Sequence, residues 1–217
     1  KSQGQKMLKL ISATPSPFAR KVRVALMEKD IPFDLITINP WNANERVHPH
    51  NPLGKIPVLI TDPGKPIYES SYILDWLEVH FPEPALIPKD KEKALEAKYF
   101  QVVSDGICEA FVLLFIERLR AVNKRSHSWE DRQFEKIDRG MSALEAMTPK
   151  SGFCVGGIFT IADIAVVSTM EYLALRFEEY EFNEKCPKLL QFVDEHKNRP
   201  SFKNTRPLPQ KLNKDVV

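Results

Sequence analysis

Three places in this sequence combine residue types that can do chemistry with a setting that would aim them. The first is Ser16, which follows the apolar run Leu8-Lys9-Leu10-Ile11 and the turn Ser12-Ala13-Thr14-Pro15 and directly precedes Pro17. Proline suits the first position of a helix, because its fixed φ matches and its missing N–H would have had no partner there, so Ser16 falls at the N-cap. A capping hydroxyl accepts from a first-turn N–H and is free to turn its proton outward, where the helix end adds partial positive charge. An anion is welcome at such a spot. Were it a thiolate, a charge-assisted hydrogen bond of ~1.5–3 kcal/mol would lower a thiol pKa of about 8.5 by roughly one to two units, leaving much of it ionised at neutral pH. The same pattern also describes an ordinary helix cap, its commoner meaning in isolation.

The second place is Ile56-Pro57, at the head of the apolar segment that runs to Thr61. A proline entering a strand forfeits a ladder donor and belongs at an edge or a bend. In the cis form it would present the N–H and C=O of Ile56 to a bound peptide, but only about 5–6% of X–Pro bonds are cis, so the sequence alone does not assign that isomer. The third place is Glu69-Ser70, ahead of the helical stripe Ile73, Leu74, Leu77 and Phe81. A helix start binds a carboxylate through N–H groups and a hydroxyl, and an adjacent Glu takes an ammonium, so the pair would grip both charges of an amino-acid head group. A solvated Glu beside a capping Ser is an equally good account of the two residues alone.

Weaker candidates complete the set. The five histidines include no i, i+4 pair and no acidic ligand cluster, so no metal is expected. Arg20, Lys21 and Arg23 read as a solvated helix face, with Arg20 also able to touch an anion. Phe111, Phe115 and Arg118 share helical spacing; core packing is the better account of the two aromatics, with a place in a substrate pocket as the other.

These residues need elements to position them, and the rest of the chain supplies them. With 217 residues, 43% of them apolar, it can build one large or two small cores. Charge nearly cancels, 31 Lys and Arg against 29 Asp and Glu, which excludes the strong positive field of a dedicated nucleic-acid binder. Apolar runs such as Val112-Leu113-Leu114-Phe115-Ile116 fall short of the roughly 20 residues that span a bilayer, so no membrane segment is expected. Three widely spaced cysteines, Cys108, Cys154 and Cys186, argue against a disulfide framework or a zinc site and point to a reducing cytoplasm. Residues Lys1 to Lys6 are polar and read as a disordered leader or expression remnant rather than a signal peptide.

Periodicity predicts strands near residues 7–11, 33–38, 56–61 and 66–68, with helices starting at Pro17 and Ser70 and an irregular stretch from Asn39 to Gly54. Strand, helix, strand, strand, strand, helix is an α/β unit of thioredoxin type, assigned to residues 7–82. The prolines at 82, 84 and 88 mark a linker, 83–91, after which every periodic segment is helical. Helices are expected near 92–122, 129–147, 161–177 and 188–198, the second opened by Ser128-x-x-Asp131 and the third by Thr160-x-x-Asp163. The fold class is therefore α/β plus all-α, the all-helical domain running from 92 to 210.

Taken in order, a serine turn, an X-Pro strand, a Glu-Ser helix start, a proline-rich break and an all-helical domain resemble a cytosolic glutathione S-transferase. The stretches that carry the resemblance are Ser16-Pro17-Phe18-Ala19-Arg20-Lys21-Val22, Asn51 to Leu59 and Tyr68-Glu69-Ser70, with Thr160 to Asp163 resembling the capping box of the family's core helix and Arg199 to Phe202 its late segment. The resemblance implies that Ser16 activates the glutathione thiol, that Ile56 and cis-Pro57 hold its cysteinyl part, that Lys55 lies near the tripeptide, and that Glu69 and Ser70 bind the γ-glutamyl end. It adds Asp105, which in a homodimer sometimes completes the partner's γ-glutamyl site. It implies a small apolar electrophile bound between the domains by Phe18, Trp41, Phe111, Phe115 and Arg118. No metal is implied, and the cytoplasmic role would be detoxification, with a peroxidase side activity.

Ser16-Pro17-Phe18 is similar to the Cys-Pro-Phe of omega-like members, with oxygen replacing sulfur, and Asp105-Gly106-Ile107 resembles a segment of serine-bearing bacterial YibF-like members. A serine cannot form a mixed disulfide, which favours thiolate activation over deglutathionylation. Two other readings stand beside this one: a non-catalytic binding protein of the stringent-starvation type, and a glutathione-dependent isomerase or dehalogenase. The intact serine and Glu-Ser set argues against the first, and Ser-Pro-Phe in place of Ser-Ser-Cys against the second.

Overall fold

The computed structural model describes residues 7–41, 44–62 and 64–211; the leader at residues 1–6 lies outside the described residues. Strand β1 (Leu8–Ser12) sits centrally, with β2 (Phe33–Thr37) parallel on one side and β3 (Val58–Ile60) antiparallel on the other, and β4 (Pro66–Tyr68) pairs antiparallel with β3. The parallel pair needs a crossover, which helix α1 (Pro17–Glu28) provides. A short α2 (Asn44–Val47) lies inside the stretch expected to be irregular, and α3 (Ser70–His80) follows β4. This is a thioredoxin-like domain with a four-stranded sheet. The peptide bonds Ile56–Pro57 and Glu83–Pro84 are both cis.

Beyond residue 90 the named elements are helical: α4 (Lys91–Leu119), α5 (His127–Met147), α6 (Ile161–Arg176), α7 (Phe182–Lys185), α8 (Pro187–His196) and α9 (Pro200–Lys203). Helix α4 is long and apolar enough to cross a bilayer by length and composition. Its apolar stripe, Phe100, Ile107, Phe111 and Leu114, is buried in the core it shares with α5 and α6. At the α4–α5 crossing a Cβ on Gly140 would stand 2.6 Å from Ile107 Cγ1, so only glycine permits the two helices to approach this closely. Helix α5 opens earlier than the Ser128-x-x-Asp131 pattern suggests. Ser126 is its cap, with Oγ accepting from Trp129 N at 3.4 Å and its own N–H donating to Glu117 Oε1 at 2.8 Å.

Helix α1 corrects a second expectation. Arg20 and Lys21 are not a solvated face but are 1% and 2% exposed, and Arg23 is half-buried. The Arg20 guanidinium pairs with Glu171 of α6 and donates to Thr205 Oγ1 at 3.2 Å and the Phe202 carbonyl at 3.1 Å. Lys21 Nζ reaches both carboxylate oxygens of Asp105 on α4, at 2.5 and 2.7 Å. At the helix's other end Lys29 Nζ bonds Glu78 (2.7 Å) and the carbonyls of Phe81 and Pro84 (2.8 Å each), while Arg199 grips Glu28 at 2.7 Å through two nitrogens. Charges taken out of water persist when paired, and each of these has an opposite charge beside it, although Arg20 Nη1 is buried without a hydrogen-bond partner.

The three cysteines are free: Cys108 and Cys186 are buried and Cys154 half-buried. Burial pushes the Cys108 thiol up to about 12 and Cys186 to about 11, and Cys154 also rises, through burial and the neighbouring Asp163.

The capping box at α6 is complete. Asp163, fully buried, accepts from Cys154 N (2.7 Å), Thr160 N (2.7 Å) and Thr160 Oγ1 (3.2 Å), and Thr160 Oγ1 accepts from Ala162 N at 3.2 Å. Replacing Asp163 by Ala would strand two buried backbone donors and is expected to lower the unfolding free energy by about 2–4 kcal/mol. Urea denaturation measures this, and a loss below about 0.5 kcal/mol would show that the box does not hold α6.

Candidate functional site

A cavity of about 530 Å³ opens between the two domains. One side is built by the N-terminus of α1, the segment Gly54-Lys55-Ile56 and the β4–α3 junction; the other is built by α4 and α6. Ser16 stands at its edge as the N-cap of α1, its Oγ accepting from Ala19 N at 3.2 Å and its N–H bonded to the Ala13 carbonyl at 3.2 Å. Among the described residues no acceptor takes the Ser16 hydroxyl proton, so it remains available to a ligand in the cavity.

Glu69 and Ser70 line the same cavity, with their roles exchanged relative to the capping-serine alternative. Glu69 is the N-cap of α3: its carboxylate accepts from Ser71 N (3.2 Å) and Tyr72 N (3.1 Å) and from the Ser71 hydroxyl, while Ser70 begins the helix, its Oγ 3.4 Å from Glu69 Oε1. The Glu69 backbone is left-handed, φ 75°, a conformation non-glycine residues adopt only where surrounding bonds hold it. Burial pushes its carboxyl upward, but the Ser71 hydroxyl, the two backbone donors and the Lys21 charge outweigh burial and hold it below the ordinary glutamate range.

Lys55 and Ile56 reach the cavity; Pro57 is buried behind them and does not line it. Asp105 lies outside the lining, held by Lys21 of its own chain. Burial pushes the Asp105 carboxyl up and Lys21 only partly offsets this, with Glu69 and Glu109 adding like charge. Lys21 is thus a buried cation electrostatically coupled to Asp105 and to Glu69.

Of the residues expected on the apolar side, Phe18, Trp41 and Phe115 line the cavity. Phe111 and Arg118 do not: a place in the pocket is corrected for both, while the core packing that its helical spacing also allowed holds for Phe111. Seven residues is close to two helical turns, so the two share one stripe of α4, and that stripe turns away from the cavity. Phe111 is 1% exposed, packed edge-on against Tyr172 (5.3 Å between ring centroids) and beside Phe177 (5.2 Å). Arg118 pairs with Glu179, stacks over Phe177 at 5.4 Å and borders a separate cavity of about 320 Å³ with Arg125 and Glu130.

Pro40, Glu109, Val112, Leu113, Tyr172, Arg176 and Gln210 also line the cavity, none of them among the candidates expected from sequence. Val112 lies three residues before Phe115, so helical spacing contained that signal. Tyr172 and Arg176 come from the far end of α6, and no local pattern marks them. Gln210 is brought in by the tail, where Gln210 Nε2 donates to the Ile38 carbonyl (3.1 Å) and Asn39 Nδ2 to the Lys211 carbonyl (2.7 Å), laying residues 210–211 along the Asn39–Trp41 turn. Among the described residues no group of three or more His, Cys, Asp or Glu side chains could hold a metal ion.

Comparison with known proteins places this architecture. The glutathione S-transferase N-terminal domain family matches residues 15–80, and the glutathione S-transferase C-terminal domain family matches residues 128–195. The chain is 33% identical over 205 residues to the uncharacterized GST-like protein YibF of Escherichia coli K12, an alignment covering 92% of this chain and 98% of that protein. A glutathione S-transferase of Methylobacterium radiotolerans, crystallised in complex with glutathione sulfonate, superposes with a TM-score of 0.93 at 44% identity, covering 96% of this chain and 98% of the other. One from Methylobacillus flagellatus with GSH bound gives 0.87 at 33%, covering 93% and 100%.

The lowered carboxyl of Glu69 has a pH signature. A carboxylate stabilised in the fold contributes stability that is complete above its unfolded pKa and is lost as pH falls through the lower folded value. The stability difference between the wild type and Glu69→Gln is therefore expected to stay constant from pH 8 to about 5.5 and to shrink as pH drops below about 4.5. Thermal melts across that range measure it; a difference that grows on acidification would contradict the capping role.

Proposed function

The chain belongs to the glutathione S-transferase family, and from that premise we propose that it binds glutathione in the inter-domain cavity and activates the thiol for attack on a small electrophile. One observation carries the reading: a hydroxyl with an uncommitted proton, at the positive end of α1, shares a cavity with the strained Glu69-Ser70 helix start and with Ile56. The γ-glutamyl carboxylate would meet the Ser70 hydroxyl and the α3 N-terminus, and its ammonium the outer face of the Glu69 carboxylate. Ile56 would pair with the cysteinyl backbone, with Pro57 fixing the direction of that segment, and Lys55 would stand near the tripeptide. This directs the sulfur toward Ser16.

The chemistry then follows from charge. The Ser16 hydroxyl donates to the sulfur, and the bond strengthens as the thiol loses its proton to solvent, so the interaction favours thiolate over thiol. The thiolate attacks an electrophilic carbon, forming a C–S bond while a leaving group departs with its electron pair or a conjugated π-bond accepts the electrons. With a peroxide, the sulfur takes one oxygen as the O–O bond breaks and an alcohol leaves, and a second glutathione thiol converts the sulfenic acid to the disulfide and water, which is the proposed peroxidase side activity. No bond to the protein forms. Phe18, Trp41, Val112, Leu113 and Phe115 supply apolar contact for the electrophile. Asp105 acts at a distance, anchoring Lys21 and with it the charge balance around Glu69.

We place the functional unit as two domains, 7–82 and 92–210, joined by 83–91, in a reducing cytoplasm where buried free thiols persist and where the enzyme serves detoxification. The unit is proposed to be a C₂ homodimer. Large apolar side chains stand exposed on α3 and on the first half of α4, among them Val79 (77%), Leu95 (62%), Tyr99 (58%) and Val102 (66%), a clustering that calls for a cover.

Two outcomes are expected. Ser16→Ala should lower the conjugation rate about ten- to hundredfold while glutathione affinity changes only a few-fold, because the lost bond acts on the charged sulfur. Rates across pH 6 to 8 with an aryl halide measure this, and a variant as fast as wild type throughout would remove Ser16 from the mechanism. Sedimentation equilibrium at micromolar concentration should give twice the chain mass, and Val102→Glu should give the single-chain mass; a wild-type monomer would refute the dimer.

A further inference from the structure

We infer that Arg176 makes the α6 wall of the cavity a receptor for a carboxylate carried by the electrophile, so that the enzyme's acceptors are acidic rather than purely apolar molecules. The inference rests on reading the cavity as a transferase site and goes beyond it by naming a substrate class.

Arg20, Arg118, Arg120, Arg139 and Arg199 each have a carboxylate within 4 Å. Among the described residues Arg176 has none, although it is half-buried and lines the cavity. Its guanidinium carbon lies 4.2 Å from the centroid of the Phe115 ring and 6.0 Å from that of Tyr172, one turn earlier on the same helix. Stacking engages the flat face of the guanidinium and Tyr172 takes a side-chain hydrogen bond from it, which leaves further in-plane N–H groups to an acceptor, and two parallel N–H groups match the two oxygens of a carboxylate. Burial also draws the Arg176 pKa below the arginine norm, with the Tyr172 hydroxyl opposing.

The acidic residues of the cavity do not fill that need. Glu69 is committed to capping α3, and Glu109 makes no ion pair with Arg176. Among the described residues the cavity's two cations thus stand apart in the fold, Lys55 on the segment ahead of β3 beside the proposed tripeptide site and Arg176 on α6. An electrophile whose reactive carbon faces Ser16 and whose carboxylate faces Arg176 would satisfy both ends, with Phe115 under its apolar body.

The test compares two ligands of one shape by titration calorimetry at low ionic strength: S-(4-carboxybenzyl)glutathione and its neutral amide, S-(4-carbamoylbenzyl)glutathione. Wild type should bind the acid about tenfold or more tightly than the amide, the size of one charge-assisted contact. Arg176→Met, which keeps an apolar stem against Phe115, should abolish that preference, and Arg176→Lys should restore part of it. Equal affinities in the wild type, or a preference that survives in Arg176→Met, would overturn the assignment while leaving glutathione binding intact. Binding of neither ligand would instead overturn the glutathione reading and this inference with it. Should Arg176→Met fail to fold, the wild-type ratio and its change in Arg176→Lys decide the matter.

Discussion

Helix α1 is tied to its surroundings by side chains that a surface helix would leave in water, and the geometry of the site depends on those ties. Within two adjacent positions, Arg20 reaches Glu171 on α6 and Lys21 reaches Asp105 on α4. Two further positions at the other end, Glu28 and Lys29, bind Arg199 and Glu78. Buried ion pairs contribute little net stability against well-packed apolar replacements, yet losing one partner typically costs about 3–5 kcal/mol, so they act as geometric locks. What they lock is the position of Ser16, one turn before Arg20, relative to the opposite wall formed by α4 and α6. A hydrogen bond to a thiolate depends on placement to a few tenths of an ångström, and a helix end on a sheet edge alone would not secure it.

The second element of precision is the β4–α3 junction. Glu69 holds a left-handed backbone that typically costs about 1–3 kcal/mol, and its carboxylate offsets part of that by capping the helix it begins. The same side chain therefore has two duties, closing its own turn and presenting negative charge to the cavity. Strain of this kind persists where the surrounding bonds over-determine it, and here those bonds come from Ser71 and Tyr72 within the same turn.

What the sequence made legible was local. Ser16-Pro17 announced a helix start, the hairpin announced the β3–β4 pair, and Thr160-x-x-Asp163 announced the α6 box, because each signal lies within a few residues; Ile56-Pro57 stands just ahead of β3, a strand inside the sheet rather than at its edge. What it hid was tertiary. Arg20 and Lys21 look like a wet helix face because their counter-charges lie far along the chain, at Glu171 and Asp105. Phe111 and Arg118 follow the same spacing as Phe115 and were read with it, but the twist of α4 turns them into the core and toward Glu179. Tyr172, Arg176 and Gln210 had no local mark, since their place at the cavity depends on how α6 and the chain end meet the first domain. The cap of α5 is Ser126 rather than Ser128, and its N–H donates to Glu117 Oε1 back on α4, a tertiary contact that no local pattern shows.

The state of the three cysteines carries its own consequence. Cys108 and Cys186 are sealed inside the helical domain with thiols pushed up to about 12 and about 11, and Cys154 is raised as well. At neutral pH essentially none of this sulfur is anionic, and alkylating agents react with the anion. Under the proposed function, the sulfur that meets an electrophile is that of glutathione, which enters and leaves with each turnover, while the three thiols of the chain stay protonated and are not consumed.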